Sequence, residues 1–387
     1  MPRIAIVGGK LQGTEAAYLS REAGFETLLI DKDSSAPAQK LCTEFICADV
    51  LSDEKIVTEA LESADMILPA MENAYVLENL TRLSEKRKYK IAFDWEAYKI
   101  SSSKLVSDKI FADNGVPCPK YYPQGKLPYI AKPSGESGSH GVELLDTEEK
   151  LNAFLKKSKS SEYVIQEFAE GMSYSIEIIG SPGNYRTYEI TEIFVDDDYD
   201  CNIASCCRMI SPEHKRTMKK MAVKIAEIIG LKGIMDLEVI DRGGEILALE
   251  IDARLPSQTP SAVYHATGMN YIKELYDLFC RGDFADPQAD KGEYASYMQY
   301  LVTENEIACR GERIMTEGNL LEYTSGICSE AQVISDYNSK SKNEWRGIFI
   351  SSDKSPEGLK AKEKLTLQEL ENIIRRPAMK SQGDFCK

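Results

Sequence analysis

Four carboxylates and an arginine sit on two adjacent runs of alternating hydrophobicity. Asp236 and Glu238 lie in the run 234–240, and Glu250, Asp252 and Arg254 lie at the end of the run 246–251. Alternate side chains of a strand share a face, so each pair of acids projects together. Asp241-Arg242-Gly243-Gly244 joins the runs. A two-residue loop would put the two sets on opposite faces. A three-residue or bulged loop, with Gly244 at positive φ, puts them on one face. The second arrangement is expected, because four acids buried together unpaired are costly. Hard oxygen donors of this kind suit Mg²⁺, which bridges phosphates. Between Glu238 and Asp236 as the outer ligand, Glu238 is preferred for its shorter distance to Glu250.

Earlier in the chain lie groups that suit a polyphosphate. Lys104 and Lys132 can act as point charges on phosphate oxygens. Ser134-Gly135-Glu136-Ser137-Gly138-Ser139-His140-Gly141 can offer backbone N–H groups and close as a lid. It is not a Walker loop, which requires G-x-x-x-x-G-K-[ST]. The extended segment Gln166-Glu167-Phe168-Ala169-Glu170-Gly171 can present backbone groups to an adenine edge. Taken singly, each of these is weak: a helix lysine is usually solvated, and a Gly/Ser loop is usually just a loop. Their order along one chain is what is specific.

A further glycine turn, Gly8-Gly9-Lys10-Leu11-Gln12-Gly13, follows the first strand and opens a helix. Such a place favours an anion. Lys10 stands where a dinucleotide fingerprint needs its second glycine, which argues against NAD, although Asp31 could still meet a ribose hydroxyl. A substrate carboxylate or phosphate is the better expectation, against a bare tight turn.

The elements that must position these groups read as α/β. Strands are expected at 3–7 and 27–30, with a helix from Thr14 to Ala23 between them, which is a parallel start. Helices at 56–64 and 74–86 flank a strand at 66–70, and the first domain closes near Phe93. A helix over 102–115 precedes strands at 129–131, 163–166 and 174–179. A helix over 214–229 is capped by Gly230. From about Tyr294 the chain reads as short strands with one helix near 367–375. The division expected is 1–93, a Rossmann-like domain; 94–185, a helical linker and small lid subdomain; and 186–387, a large subdomain with a C-terminal extension.

Composition excludes several classes. The 387 residues are 43% hydrophobic and 28% charged, as in ordinary globular proteins. Lys plus Arg is 47 against 62 Asp plus Glu, so the net charge of −15 argues against nucleic-acid binding. No apolar run is long enough for a membrane span, and the N-terminus has no signal-peptide layout. Ten scattered cysteines and three histidines give no zinc spacing. Reduced thiols in a cytoplasmic protein are the simple reading.

From Arg3 to about Leu255 the ordered set resembles the ATP-grasp ligases, which join a carboxylic acid to an amine through an acyl phosphate. The first domain is similar to the family's pre-grasp domain. The resemblance implies ATP and Mg²⁺, two ions, as cofactors. It places Lys104 and Lys132 on the ATP phosphates and Ser137, Gly138 and Ser139 over the β and γ phosphates. Glu167 and Ala169 would bind adenine through backbone groups, with Phe168 beside it. Glu238, Glu250 and Asp252 would hold the metal, and Arg254 would steady the γ-phosphate or the reacting carboxylate. Two departures stand out. Ser173 occupies the place of a ribose-binding acid, leaving Glu170 or Ser173 for that role. The last metal ligand is Asp252 where asparagine is frequent, which adds a negative charge.

Within the family the whole chain, through Gly9-Lys10-Leu11-Gln12-Gly13-Thr14-Glu15, is similar to the branch of pyrrolysine biosynthesis. That branch implies an ornithine-like carboxylate joined to the ε-amine of lysine. Candidate substrate residues are Gly9, Lys10, Leu11, Gln12, Glu72, Glu177 and Ser257, with Arg208 and Tyr264 behind them. Glu177 shares a strand face with Ser173 and Ser175 and reads equally well as a solvated strand residue. The competing readings are a carboxyaminoimidazole ribonucleotide synthase, a dipeptide ligase, an NAD-dependent oxidoreductase and a non-catalytic nucleotide-binding protein. Dimerisation is common among such enzymes, although no motif shows it.

Overall fold

The computed structural model describes residues 1–136, 140–158, 162–285, 289–316, 319–338 and 344–375. Strands β1 (Arg3–Val7), β2 (Glu26–Asp31), β3 (Glu44–Cys47) and β4 (Met66–Pro69) form a parallel sheet in the order β3-β2-β1-β4. Ile4, Ala5, Ile6 and Val7 are all fully buried, as expected for a strand covered on both faces. The helices α1 (Leu11–Glu22), α2 (Glu54–Glu62) and α3 (Ala74–Arg87) provide that cover. Strand β3, a short and half-exposed edge, has no clear apolar pattern and escapes the sequence reading. Helix α1 begins at Leu11, three residues before the expected start. Gly13 allows this, since a Cβ there would lie 2.1 Å from the Gly8 carbonyl oxygen.

Helices α4 (Trp95–Ser101) and α5 (Lys104–Asp113) then strap the molecule together. Asp94 caps α4, accepting from the Glu96 and Ala97 N–H groups, and also accepts from the Lys232 N–H at 2.7 Å. The next three strands, β5 (Tyr129–Pro133), β6 (Glu143–Leu145) and β7 (Tyr163–Glu167), form a small antiparallel sheet in the order β6-β5-β7. Helix α6 (Glu148–Lys157) closes its core of Tyr129, Ala131, Leu145, Leu151 and Phe154.

The remaining strands make one ten-stranded sheet. They are β8 (Met172–Ser181), β9 (Asn184–Val195), β10 (Cys201–Cys206), β11 (Gly233–Arg242), β12 (Glu245–Asp252), β13 (Tyr294–Thr303), β14 (Ile307–Cys309), β15 (Glu322–Thr324), β16 (Gln332–Ser335) and β17 (Glu344–Asp353). Their order is β12-β11-β8-β9-β10-β13-β17-β16-β15, with β14 on β13. Helix α7 (Pro212–Ile229) packs Met218, Met221 and Ile225 against Ile176, Leu237 and Ile251. A second core joins Ile4, Leu29 and Leu68 of the first sheet to Ala262 and Val263 of α8 (Thr259–Thr267) and to Tyr297 and Ile350 of the large sheet.

Two expectations change. Strand β8 pairs with β9 and β11, so by strand pairing the small sheet ends at Glu167, and a boundary at 185 cuts into the β8–β9 hairpin. The C-terminal region is not mostly short strands: β13 and β17 have ten residues each, and a twenty-residue helix, Pro356–Arg375, covers them. Their buried, mixed sequences lack clean alternation, which hides their length.

Candidate active site

The acids come to one face, by a route other than the loop. Gly243 and Gly244, at φ 64° and 99°, make a two-residue turn between Arg242 and Glu245. The register then shifts at Leu249, so that Glu238 faces Glu250 and Asp236 faces Asp252. A bulge within β12 therefore does what a longer loop was expected to do.

Helix α5 and strand β5 bring the lysines together. The Ser134 carbonyl accepts from the Lys104 N–H at 2.9 Å, and Ser134 Oγ accepts from the Leu105 N–H at 3.2 Å. Lys104 Nζ lies 2.6 Å from Glu250 Oε1 and 2.7 Å from the Glu136 carbonyl. A cavity of about 300 Å³ is lined by Lys104, Lys132, Glu167, Phe168, Ala169, Glu170, Ser173, Glu238 and Glu250. The N–H groups of Glu167 and Phe168 are spent on the carbonyls of Lys120 and Pro128. Ser137, Gly138 and Ser139 lie outside the described residues.

A second cavity of about 140 Å³ shares Glu238 and Glu250 with the first and adds Asp236, Asp252, Arg254, Ser257, Asp200 and Glu312. Tyr199 and Gln258, at φ 60° and 70°, are two non-glycine residues on its wall held in the left-handed region, the kind of strain that collects at functional sites. A third cavity of about 430 Å³ shares Arg254, Ser257 and Glu312 with the second. It reaches the first glycine turn, where Gly9, Lys10, Leu11 and Gln12 line it with Glu72. The three cavities thus lie in series, each sharing wall residues with the next. Arg254 stands between the last two, its Nε 2.7 Å from Glu72 and its guanidinium 2.9 Å from Asp252.

Some expected residues are elsewhere. Glu177 is fully buried, takes hydrogen bonds from Ser175 Oγ at 3.2 Å and Tyr271 Oη at 2.8 Å, and lines none of the three cavities. It is neither solvated nor in the channel, because the segment after α8 covers that face of β8. Arg208 pairs with Asp290 and Tyr264 donates to Glu22, both away from the channel. Asp31, by contrast, lines the third cavity, and it accepts from the Gly9 N–H at 2.7 Å and the Asp33 N–H at 2.8 Å. Glu312 was missed. No motif surrounds it, and its partner Ser257 is 55 residues away.

Comparison with known proteins assigns this arrangement. A family model described as ATP-grasp domain matches residues 101–258. The 3-methyl-D-ornithine–L-lysine ligase of Methanosarcina mazei is 35% identical over 318 residues, covering 82% of this chain and 82% of that protein. The chain belongs to the ATP-grasp family. The ligase of the same name from Methanosarcina acetivorans is 34% identical over 321 residues, with 82% of this chain and 85% of that protein covered. Among solved structures, the N5-carboxyaminoimidazole ribonucleotide synthetase of Thermus thermophilus matches with a TM-score of 0.71 at 16% identity, over 97% of this chain and 100% of that one. That last likeness is one of fold.

The charge pattern of this ATP-grasp site follows from where the acids lie. Burial pushes the Asp252 carboxyl up to about 8, with Arg254 opposing and Glu250 adding to the rise. Glu238 opens onto the channel but is walled in by protein, and that desolvation, with Glu250, raises its carboxyl too. Asp236, buried behind them, rises well above the usual range for want of solvent and through Asp252, and its Oδ1 has no hydrogen-bond partner among the described residues. Burial lowers the Lys104 ammonium, but Glu250 and then Asp252 and Glu238 outweigh it and leave a net rise.

No three Asp, Glu, His or Cys side chains among the described residues are gathered closely enough to hold an ion alone. Glu250 is engaged by Lys104 and Asp252 by Arg254. Magnesium is ordinarily bound through one or two carboxylates plus substrate phosphates, so this donor set fits an ion completed by a nucleotide. The orphaned Asp236 oxygen and the raised carboxyls are the marks of acids crowded beyond their local positive charge. No helix among the described residues is long and apolar enough to cross a membrane.

Proposed function

We propose that the protein is an ATP-dependent carboxylate–amine ligase. It joins the carboxylate of a (3-methyl-)D-ornithine to the ε-amine of L-lysine, releasing ADP and phosphate, as a step of pyrrolysine biosynthesis. The observation that carries this reading is the 35% identity spanning 82% of both this chain and a ligase of that name. The series of adjoining cavities supports the division of labour among them.

In this reading the nucleotide fills the 300 Å³ cavity. The Glu167 carbonyl and Ala169 N–H meet the adenine edge beside Phe168, and Ser173 or Glu170 meets the ribose. Lys104 and Lys132 hold phosphate oxygens, and Ser137, Gly138 and Ser139 cover the β and γ phosphates. Glu238, Glu250 and Asp252 would hold two Mg²⁺ ions. Bound there, Mg²⁺ neutralises charge on the triphosphate during transfer. The two diamino acids take the 430 Å³ cavity, against the Gly9–Gln12 turn, Glu72 and Ser257. Arg254 orients the reacting carboxylate at the junction. The carboxylate oxygen attacks the γ-phosphorus, and Lys132 and the channel's N–H donors stabilise the charge that develops. The ε-amine of lysine then displaces phosphate from the acyl carbon. No protein nucleophile takes part. The enzyme is proposed to work in the cytoplasm as a homodimer.

The test is ADP release from Mg-ATP with D-ornithine and L-lysine, separately and together. The reading expects sustained release with both and a product of the summed mass less water. Release with D-ornithine and another amine in preference to lysine would replace it with a different ligase of the same family.

A further inference from the structure

Glu312 lies outside the matched domain, in the segment between β14 and β15, yet it lines both the acidic cavity and the cavity at the N-terminal turn. The fold holds it there. The Gly311 N–H donates to Asp196 Oδ2 at 2.9 Å, and the Arg313 N–H donates to Asp200 Oδ2 at 3.2 Å. A side chain at position 311 would collide with the Asp200 carboxylate, 2.2 Å from an ideal Cβ. The backbone on either side of Glu312 is therefore clamped, and its carboxylate is aimed into the channel, where it accepts from Ser257 Oγ at 3.0 Å.

Most of the other acids at this junction are committed, leaving aside the proposed metal ligand Glu238 and the buried Asp236 behind it. Glu72 holds Arg254 and accepts from Gln12, Asp252 holds Arg254, Glu250 holds Lys104, and Asp200 holds Arg313. Glu312 has no ion-pair partner among the described residues. Glu312 lines both cavities, so an amine held between them would meet this carboxylate, and it arrives as an ammonium that cannot attack until it loses a proton.

We propose that Glu312 is the residue that receives the attacking amine: its carboxylate binds the lysine ε-ammonium at the junction of the two cavities and takes one proton from it. This rests on the ligase reading above. The neutral amine forms the C–N bond at the acyl carbon, and the C–O bond to phosphate breaks with its electron pair on the phosphate oxygen. The second nitrogen proton leaves with the phosphate, and the proton on Glu312 passes to solvent. Burial pushes the Glu312 carboxyl up to about 7, with Asp200 and Glu72 adding to the rise and Arg254 and Ser257 opposing it. A group poised there accepts and releases a proton readily near neutral pH.

The test compares two amines on one acyl phosphate. Purified protein with Mg-ATP and D-ornithine is given either L-lysine or hydroxylamine, and isopeptide and hydroxamate are measured by mass spectrometry. Hydroxylamine is already unprotonated at neutral pH and needs no proton acceptor. In Glu312→Gln the ratio of isopeptide to hydroxamate should fall by ~100-fold relative to wild type. Glu312→Asp should recover part of the ratio. An unchanged ratio, or equal loss of both products in Glu312→Gln and Glu312→Asp, overturns the assignment and makes Glu312 a structural acid. A wild-type protein that forms neither product overturns the ligase reading, and the assignment with it.

Discussion

At the scale of single residues, the acids of the channel are held by cations that are also expected to hold substrate. Lys104 is 2.6 Å from Glu250, and Arg254 bridges Glu72 and Asp252. Replacing Glu250 would remove a proposed metal ligand together with the partner of Lys104. Glu250→Ala should lower ADP formation by ~1,000-fold or more, on the scale of losing a preorganised electrostatic contact. A turnover assay checks this, and wild-type-like rates would remove Glu250 from the metal site. That these residues would share one cavity was legible because each came with a local pattern: Lys104 and Lys132 beside helix and strand ends, Glu238 and Glu250 in alternating strands. Glu177 was misread for an equally physical reason. Alternation shows that Ser173, Ser175 and Glu177 share a face, but not which layer covers it, and Tyr271 from the segment after α8 covers Glu177. Glu312 was not legible at all, because its meaning depends on Ser257 and Asp200, which only the fold brings near.

At the scale of elements, close backbone approach sets the site more than any one side chain does. Gly171 lies at the edge of the 300 Å³ cavity proposed for the nucleotide, where a Cβ would come 2.1 Å from the Asp241 carbonyl oxygen of β11. Gly171→Ala should push the 166–171 segment off β11 and misplace the backbone proposed to meet the adenine. The expected result is a fall in kcat/KM for ATP of ~100-fold, the scale of a 1 Å misplacement. Steady-state kinetics at varied ATP would read it, and an unchanged KM and kcat would mean that the segment does not position the nucleotide. The hairpin β11–β12 carries a related lesson. The need for a register shift was legible from the spacing of the acids, but its location was not. A bulge at Leu249 serves as well as a longer turn, and nothing in a strand's apolar pattern marks which residue is extra.

At the scale of the whole molecule, buried acids join the first sheet to the large one. Glu15 of α1 is 2% exposed and accepts from the Ser261 N–H of α8 at 2.7 Å. Burial pushes its carboxyl up to about 7, with bonds from Ser261 opposing and Glu177 adding. Its protonated form is thus favoured in the folded state. The stability it contributes is full below about 4.5, its unperturbed value, and is lost as pH rises through about 7. The midpoint of thermal unfolding should therefore fall between pH 5 and pH 8. Glu15→Gln keeps an acceptor for Ser261 but carries no proton to lose, so its melting curves should depend less on pH. The difference corresponds to about 3 kcal/mol across that range. An identical pH dependence in both proteins would show that Glu15 stays charged in the fold. The sheet-to-sheet union could not be read from the sequence, since Glu15 and Ser261 are 246 positions apart.

The most direct test of the channel as a ligase follows an oxygen atom. D-ornithine labelled with ¹⁸O in its carboxylate is turned over with Mg-ATP and L-lysine, and the inorganic phosphate is analysed by mass spectrometry. Attack of the carboxylate on the γ-phosphorus, followed by loss of phosphate from the acyl carbon, leaves one labelled oxygen in each phosphate released. That transfer is the expected result, with ADP formed in equal amount. Unlabelled phosphate accompanying isopeptide formation would contradict an acyl phosphate, and with it the roles given to Arg254, Lys132 and the acidic strands.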